Sequence, residues 1–258
     1  MAVAGDAEPF ALENLPAEIR WLETTDSTNN YLRNLSSGRE TRIALSWNQT
    51  AGRGRLGRSW VSRPGESLAV SIDLGHLVPE NLDDSWRGAV PLIVAAELAR
   101  SIDTAMSVPA VVKWPNDVLI NGRKVAGILG EIPKPGRVII GIGINAWGAP
   151  QGPVGSMATS LSAHGLSERS LFEQLFVDFL QSVLSRLLHI RLAVSPEDWG
   201  FVRARLATLG QRVRAVLPNG SEISGVAEDV DSSGCLIVST GSSTEVISAA
   251  DVEHLRSV

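Results

Sequence analysis

Apolar and polar positions alternate along several short stretches of the chain, the pattern of β-strands that bury one face. Residues 67–74 show it clearly, and residues 137–145 combine an apolar strand with two glycines. Within residues 117–131, Asn121-Gly122 separates two further stretches and favours a type I′ turn, which predicts a β-hairpin. Shorter strands are expected over 20–23, 43–47 and 111–114.

Helical periodicity is found in other segments. Asp26 or Ser27 is a suitable N-cap for a helix that ends near Gly38. Residues 86–102 are helical in composition, and Pro91 implies an early-turn position or a kink.

Residues 170–188 have the pattern of a long amphipathic helix. Ser170 and Glu173 have the spacing of a capping box at its start. The apolar stripe consists of Phe172, Phe176, Phe179, Val183 and Leu187. We interpret this stripe as core packing and assign it no cofactor role.

The chain changes character near Leu206, where short strands and tight turns with few large side chains begin. Such a segment of about 50 residues predicts a small β-barrel. We therefore expect a loose N-terminal segment over 1–18, a larger domain over 19–205 and a barrel over 206–258.

Composition excludes several classes of protein. The 258 residues carry a net charge of -5, which argues against a broad nucleic-acid-binding surface. A single cysteine, Cys235, excludes a disulfide framework and favours a reducing compartment. No apolar run reaches the ~20 residues that span a bilayer, and the N-terminus lacks the basic region of a signal peptide. We expect a cytoplasmic protein that binds neither membranes nor specific DNA.

Residues 49–60, QTAGRGRLGRSW, concentrate positive charge on this acidic chain. We call residues 52–58 within them the glycine/arginine loop. Its glycines let the backbone approach a ligand closely, and its arginines match phosphate or carboxylate groups. Those residues are Gly52, Gly54, Gly57, Arg53, Arg55 and Arg58. The composition predicts a loop that closes over a small anionic ligand.

Three further polar features stand out. Lys113 lies in the apolar strand VVKW, where a lysine either reaches the surface or serves a ligand, and Asp117 could pair with it. Lys124, in the hairpin, is expected to be a solvated edge lysine. The cluster Ser27-Thr28-Asn29 at a helix start is explained by capping unless other residues join it.

Other motifs are absent or weak. GRGRLG matches the dinucleotide fingerprint G-x-G-x-x-G formally, but Pro64-Gly65 follows where a helix should begin. The sequence has no nucleophile elbow and no P-loop. The four histidines are scattered, so a built-in zinc site is not expected.

The segments TDSTNNYL, QTAGRGRLGRSW, VKWPNDVLINGRKVAGILGE and GIGIN, in that order and spacing, resemble the bacterial biotin protein ligases. The resemblance covers about residues 20–255. It implies an α+β fold, with a mixed, largely antiparallel sheet and packed helices (the biotin–lipoate ligase fold, related to class II aminoacyl-tRNA synthetases), followed by an SH3-like barrel. Because the segment before the DSTN motif is short and rich in Ala, Glu and Pro, the chain resembles the shorter ligases that lack a DNA-binding domain.

The resemblance implies a two-step reaction. Biotin and ATP, with Mg²⁺, give biotinyl-5′-AMP and pyrophosphate, and the adenylate then acylates a lysine of a biotin carboxyl carrier domain. The residues it implies for biotin are Ser27, Thr28, Asn29, Gln49, Gly52, Arg53, Arg55, Trp60, Lys113, Gly141 and Gly143. Those for ATP or the adenylate are Arg53, Arg55, Arg58, Lys113 and Asn145. The resemblance also implies that Lys113, Arg53, Arg55 and Arg58 carry the catalysis, and it assigns no metal ligand.

Three alternatives remain at this point. A lipoate or octanoate ligase shares the fold and the strand lysine, although the arginine loop and the barrel favour biotin. A non-catalytic biotin-responsive regulator is opposed by Lys113, the arginine loop and the net negative charge. A nicotinamide-dependent oxidoreductase rests only on the weak G-x-G-x-x-G match.

Overall fold

The computed structural model describes residues 10, 12–36, 38–78, 84–150, 157–191 and 193–254. The first nine strands are β1 (Glu18–Trp21), β2 (Arg42–Ser46), β3 (Gly52–Arg53), β4 (Ser59–Trp60), β5 (Ser67–Asp73), β6 (Ala110–Lys113), β7 (Asp117–Ile120), β8 (Arg123–Lys134) and β9 (Arg137–Asn145). The helices are α1 (Thr28–Asn34), α2 (Asp84–Met106), α3 (Arg169–Ile190) and α4 (Pro196–Arg203). The chain then forms β10 (Arg212–Val216), β11 (Glu222–Val230), β12 (Leu236–Ser239), β13 (Thr244–Ile247) and β14 (Asp251–His254).

A seven-stranded sheet forms the main layer, in the order β1-β2-β5-β9-β8-β7-β6. β1 and β2 are parallel, and the other pairs are antiparallel. In the predicted hairpin, Asn121 and Gly122 both have positive φ, as a type I′ turn requires. The mixed, largely antiparallel sheet that the resemblance implies is confirmed.

β9 shows how the sheet separates its two faces. Successive side chains of a strand point to opposite faces. Ile140 and Ile142 join the large core that includes residues of α2 and α3, whereas Ile139 packs with Leu32 of α1. The α1 face therefore carries only a small apolar cluster, which leaves room for polar groups.

α1 ends against a buried arginine. Ser27 is its N-cap, one of the two predicted, but the helix ends at Asn34, before Gly38. The guanidinium of Arg137 donates to the carbonyl oxygens of residues 32, 33 and 35 and pairs with Asp73 at 2.7 Å. These bonds satisfy carbonyls that a helix end leaves without partners.

α3 has the predicted core stripe, and all five of its residues are buried. The predicted capping box is wrong. The helix begins at Arg169 after Glu168, so Ser170 lies inside the first turn, and Glu173 pairs with Arg169. A capping box does occur at α4, where Ser195 and Asp198 bond reciprocally.

The N-terminal segment differs from the expectation of a loose stretch through residue 18. Phe10 is 2% exposed and packs edge-on against Trp21 and Phe176. Glu18 already belongs to β1. Residues 1–9 and 11 lie outside the described part of the chain.

β10 to β14 form an antiparallel five-stranded sheet in the order β13-β12-β11-β10-β14. This agrees with the expected small barrel, although β14 was not predicted. The sheet joins the main core through Leu206, whose neighbours bond β6: Val112 N–H donates to the Arg205 carbonyl at 2.8 Å, and Ala207 N–H donates to the Val112 carbonyl at 2.9 Å. The predicted domain boundary between residues 205 and 206 thus falls within a segment whose backbone is hydrogen-bonded to β6.

α2 and the C-terminal sheet meet at Gly88. A Cβ at this position would lie 1.6 Å from the Ser233 carbonyl oxygen. Gly88→Ala is therefore expected to lower the free energy of unfolding by about 1–3 kcal/mol, the usual cost of overpacking. Gly200→Ala in α4 is the matched control, because no atom lies within 4 Å of its added methyl group. That control should gain about 0.5–1 kcal/mol from helix propensity. Urea denaturation compares the two, and equal stabilisation by both would refute the close contact at Gly88.

Candidate active site

The DSTN segment at the start of α1 is buried and bonded to the sheet. Thr28 N–H and Oγ1–H donate to Gln49 Oε1, at 2.9 and 3.3 Å. Ser71 Oγ donates to Thr28 Oγ1 at 2.7 Å and also bonds Asn29. Capping explains Ser27, but Thr28 and Asn29 reach strands distant in sequence. They form a polar cluster on the α1 face.

Beside this cluster, glycines leave the surface of the sheet free of side chains, so that other groups can approach the backbone. A Cβ at Gly141 would lie 2.5 Å from Asn29 Oδ1, and one at Gly143 would lie 2.5 Å from the Trp60 ring. At Gly52, an added Cβ would lie 2.5 Å from both Gln49 Nε2 and the Trp60 carbonyl oxygen. The backbone of β9 is therefore approached closely at both glycines, by Asn29 at Gly141 and by Trp60 at Gly143.

The glycine/arginine loop runs from β3 to β4, which pair antiparallel. Leu56 and Gly57 have positive φ and form its turn. The loop is followed by the strands β4 and β5, so it lacks the strand-to-helix geometry that dinucleotide binding requires. The nicotinamide hypothesis loses its one supporting motif.

The three loop arginines have different surroundings. Arg53 contacts Glu131 Oε1 and Asn30 Oδ1, both at 3.3 Å. Arg58 pairs with Asp251 of β14. Arg55 is half-buried, and burial lowers its pKa despite the opposing charge of Asp117. Arg53 and Arg58 thus pair with carboxylates on different strands, whereas Arg55 is distinguished by its partial burial.

Trp60 lies across the site. Its ring is also 3.3 Å from the position of a Cβ at Gly127. The indole N–H is buried and has no hydrogen-bond partner among the described residues. Lys124 Nζ lies 5.5 Å from the ring centre. A ring that walls the sheet surface and keeps a free donor suits a ligand with polar acceptors.

Lys124 and Asp117 depart from expectation. Lys124 is not a solvated edge lysine: its Nζ pairs with Asp117 Oδ1 at 2.6 Å. Asp117 therefore uses Lys124, in the adjacent strand, rather than Lys113 as its ion-pair partner. The β7–β8 pairing brings the two side chains together, a proximity that residue spacing alone did not identify.

Lys113 ends β6 and is half-buried. Within the described residues, no carboxylate oxygen lies at ion-pair distance from its Nζ. Burial lowers the pKa of Lys113, and the more distant charges of Asp117 and Glu253 partly oppose this shift. A partly desolvated ammonium group without a close counter-ion is suited to an anionic ligand.

Asn145 is buried and already bonded at both ends of its amide. Its Oδ1 accepts from Ser67 Oγ at 3.1 Å, and its Nδ2 donates to the Thr159 carbonyl at 3.0 Å. The adenine contact expected for this residue stays a prediction.

Glu131 was missed by the sequence analysis. It accepts from Asn29 Nδ2 and from Arg33, each at 2.7 Å, besides contacting Arg53. Strand alternation gave a usable signal, because 127, 129 and 131 share one face of β8. Glu131 is thus the carboxylate that joins α1 to the loop.

Comparison with known proteins identifies the chain. The profile of the Biotin/lipoate A/B protein ligase family matches residues 21–145, and that of the Biotin protein ligase C terminal domain matches residues 208–255. A Biotin--[acetyl-CoA-carboxylase] ligase of Mycobacterium tuberculosis is 36% identical over 90% of this chain and 87% of its own length. The enzyme of the same name from Paracoccus denitrificans is 35% identical over 90% of this chain and 98% of its own length. This chain belongs to the biotin protein ligase family.

Solved structures agree with this assignment. The biotin protein ligase from Aquifex aeolicus in complex with biotin and ATP superposes with a TM-score of 0.75, at 27% identity, over 93% of this chain and 99% of that chain. The family, the fold class and the enzyme class predicted from the motifs are confirmed. In the part of the chain that the structure describes, no helix is long and apolar enough to cross a membrane.

Proposed function

We propose that this chain is a biotin–carboxyl carrier ligase. The biotin carboxylate attacks the α-phosphorus of ATP, and the α–β phosphoanhydride bond breaks to release pyrophosphate. The ε-amine of an acceptor lysine then attacks the acyl carbon of biotinyl-5′-AMP, forms an amide and releases AMP. The half-buried Lys113, which has no carboxylate at ion-pair distance among the described residues, is the observation that carries the proposal.

The polar cluster of α1 suits the biotin head. A ureido group needs both donors and acceptors. The buried Ser27, Thr28 and Asn29, together with the partly buried Gln49, supply both. The unpartnered Trp60 indole N–H adds a donor. Gly141 and Gly143 leave space above β9 once Trp60 moves aside. Lys113 then meets the carboxylate end of the ligand.

The cations act on the phosphates. Attack by a carboxylate on ATP brings two anions together, so the reaction needs positioning and preorganised positive charge. Lys113 offers a fixed charge at a strand end, and Arg55 and Arg58 offer charges from the loop. Closure of the loop excludes water from an acyl-adenylate that water would hydrolyse. No covalent enzyme intermediate is required.

Mg²⁺ is proposed to enter with ATP. The described residues contain no group of three or more His, Cys, Asp or Glu side chains that could hold a metal ion. Mg²⁺ is commonly held by substrate phosphates and waters with few protein ligands, which fits such a site. It would neutralise phosphate charge beside the arginines.

The acceptor is proposed to be the biotin carboxyl carrier domain of a carboxylase. The relatives' names point to acetyl-CoA carboxylase. We keep the predictions that the chain acts in the cytoplasm and binds no specific DNA. A titration with promoter fragments of biotin-synthesis genes at about 150 mM salt tests the latter.

One assay tests the function. The protein is incubated with biotin, Mg-ATP and a biotin carboxyl carrier domain, and the mass of the carrier is followed. We expect one biotinyl group per carrier, and none on a carrier whose acceptor lysine is replaced by arginine. Lipoate replaces biotin in a parallel reaction. Transfer of lipoate in preference to biotin would reverse the assignment, and pyrophosphate release without transfer would leave only adenylation.

Ligands should protect the glycine/arginine loop from trypsin. Arg53, Arg55 and Arg58 are cleavage sites, and we expect slower cleavage with saturating biotin plus Mg-ATP because the phosphates gather the arginines. Cleavage sites are identified by mass spectrometry. Cleavage after Arg191, remote in sequence from the loop, serves as the internal control. Equal loop cleavage with and without ligands would contradict closure.

A further inference from the structure

The last strand of the C-terminal sheet reaches the glycine/arginine loop. β14 is the end strand of its sheet, beside β10. Asp251, its first residue, pairs with the guanidinium of Arg58, which lies 193 positions earlier in the chain. The contact crosses from one sheet to the other and involves one of the cations proposed to bind phosphate.

We propose that Asp251 is a positioning residue that holds the glycine/arginine loop beside Lys113. This inference rests on the proposed function. It gives the C-terminal sheet a defined role in the adenylation step: that sheet supplies the fixed point against which the loop closes.

The loop is held at two ends. Arg53 contacts Glu131 on β8, and Arg58 contacts Asp251 on β14. Between these contacts the chain turns through Leu56 and Gly57, and Arg55 is half-buried. Loss of the Asp251 contact would release the end of the loop nearer to β4 while leaving the Arg53 contact in place.

β14, the strand that carries Asp251, is linked by hydrogen bonds to the residue that follows Lys113. His254 of β14 bonds Thr208 Oγ1 at 3.1 Å, and Thr208 Oγ1 accepts from the Trp114 N–H at 2.9 Å. Trp114 directly follows Lys113, and its indole N–H donates to the Gly234 carbonyl at 2.9 Å. Through these bonds, Asp251 and Lys113 belong to one packed unit, so an arginine held by Asp251 is also placed relative to Lys113.

The solvent exposure of the Arg58 and Asp251 side chains sets how strongly their ion pair can hold the loop. The Arg58 and Asp251 side chains are 64% and 37% exposed, so their pairing is a surface ion pair. Such a pair contributes up to about 1 kcal/mol, which changes a population ratio by about fivefold. A loop that exchanges between held and released states is sensitive to a change of this size, whereas the stability of the whole fold is not.

Three variants test the proposal. Asp251→Asn removes the charge, and Asp251→Glu keeps it. Glu222→Gln is the matched control, because it removes a carboxylate and an exposed ion pair with Arg214 from the same sheet. Without ligands, Asp251→Asn should speed tryptic cleavage of the loop by about fivefold, while the other two stay close to wild type. High salt should bring the wild-type rate towards that of Asp251→Asn.

Kinetics show whether the loop is held for catalysis. Asp251→Asn should raise the KM for ATP in pyrophosphate release by about fivefold, with a smaller change in kcat, because fewer molecules are ready to bind phosphate. In an Arg58→Gln background, Asp251→Asn should have no further effect. Unchanged cleavage and KM in Asp251→Asn, or the same effect in the Arg58→Gln background, would overturn the proposal. Wild-type protein that releases no pyrophosphate would refute the proposed function instead, and the ligand-free cleavage result would still decide whether Asp251 holds the loop.

Discussion

Lys113→Ala should reduce the rate of biotin-dependent pyrophosphate release by 10²–10³, while the protein stays folded. Loss of one preorganised charge contact at a transition state costs about 3–4 kcal/mol, which is the origin of this range. Lys113 has no close carboxylate partner among the described residues, so its removal leaves no buried acid uncompensated. The fold should tolerate the change because the side chain is only half-buried at the end of β6.

Lys134→Ala is the matched control, since Lys134 is exposed at the far end of β8. It should retain wild-type pyrophosphate release. Circular dichroism and urea denaturation of both variants separate a catalytic loss from unfolding. A folded Lys113→Ala variant with near-normal pyrophosphate release would remove Lys113 from the mechanism.

The local patterns of the sequence predict most of the main sheet. β9 matches its predicted range, and the hairpin around Asn121-Gly122 has the predicted turn, because both depend on alternation and on residues suited to positive φ. The stripe of α3 is buried as expected. These features are encoded within one segment, so a single sequence is enough to find them.

The contacts that complete the site were not predictable in the same way. Glu131 and Asp251 contact the loop from strands far along the chain, and no local pattern reports such pairings. The Asp117–Lys124 pair depends on the register between β7 and β8. Phe10 was placed in a loose segment because composition alone does not show the aromatic pocket that receives it.

The family resemblance indicated a role for Lys113 that the spacing of residues alone did not. Lys113 in an apolar strand is equally consistent with a lysine that reaches solvent. The family assignment and the lack of a close counter-ion among the described residues favour a ligand-binding role.

Glu97 is a buried acid that should contribute strongly to stability. It is 1% exposed on α2 and accepts hydrogen bonds from Arg100 at 2.8 Å, from Ser182 at 3.0 Å and from Arg186 of α3. Arg186 also bonds Asp198 of α4 at 3.0 Å, so one network joins three helices. Burial alone would raise the pKa of Glu97, but the two arginines outweigh it and hold the pKa below the ordinary value.

Glu97→Ala should therefore lower the free energy of unfolding at pH 7 by about 3 kcal/mol. Removing one partner of a buried ion pair costs about 3–5 kcal/mol, and the lower end applies because both arginines are partly exposed. Glu173→Ala is the control: its exposed pair with Arg169 is worth about 0.5 kcal/mol or less.

Because the folded pKa lies below the unfolded value of 4.5, the charge contribution of Glu97 is complete above pH 4.5 and is lost as the pH falls through the folded pKa. Urea denaturation from pH 7 down to pH 3 should thus show the gap between wild type and Glu97→Ala narrowing only below about pH 4.5. A gap that is absent at pH 7, or that does not change with pH, would show that the network does not hold the three helices together in this way.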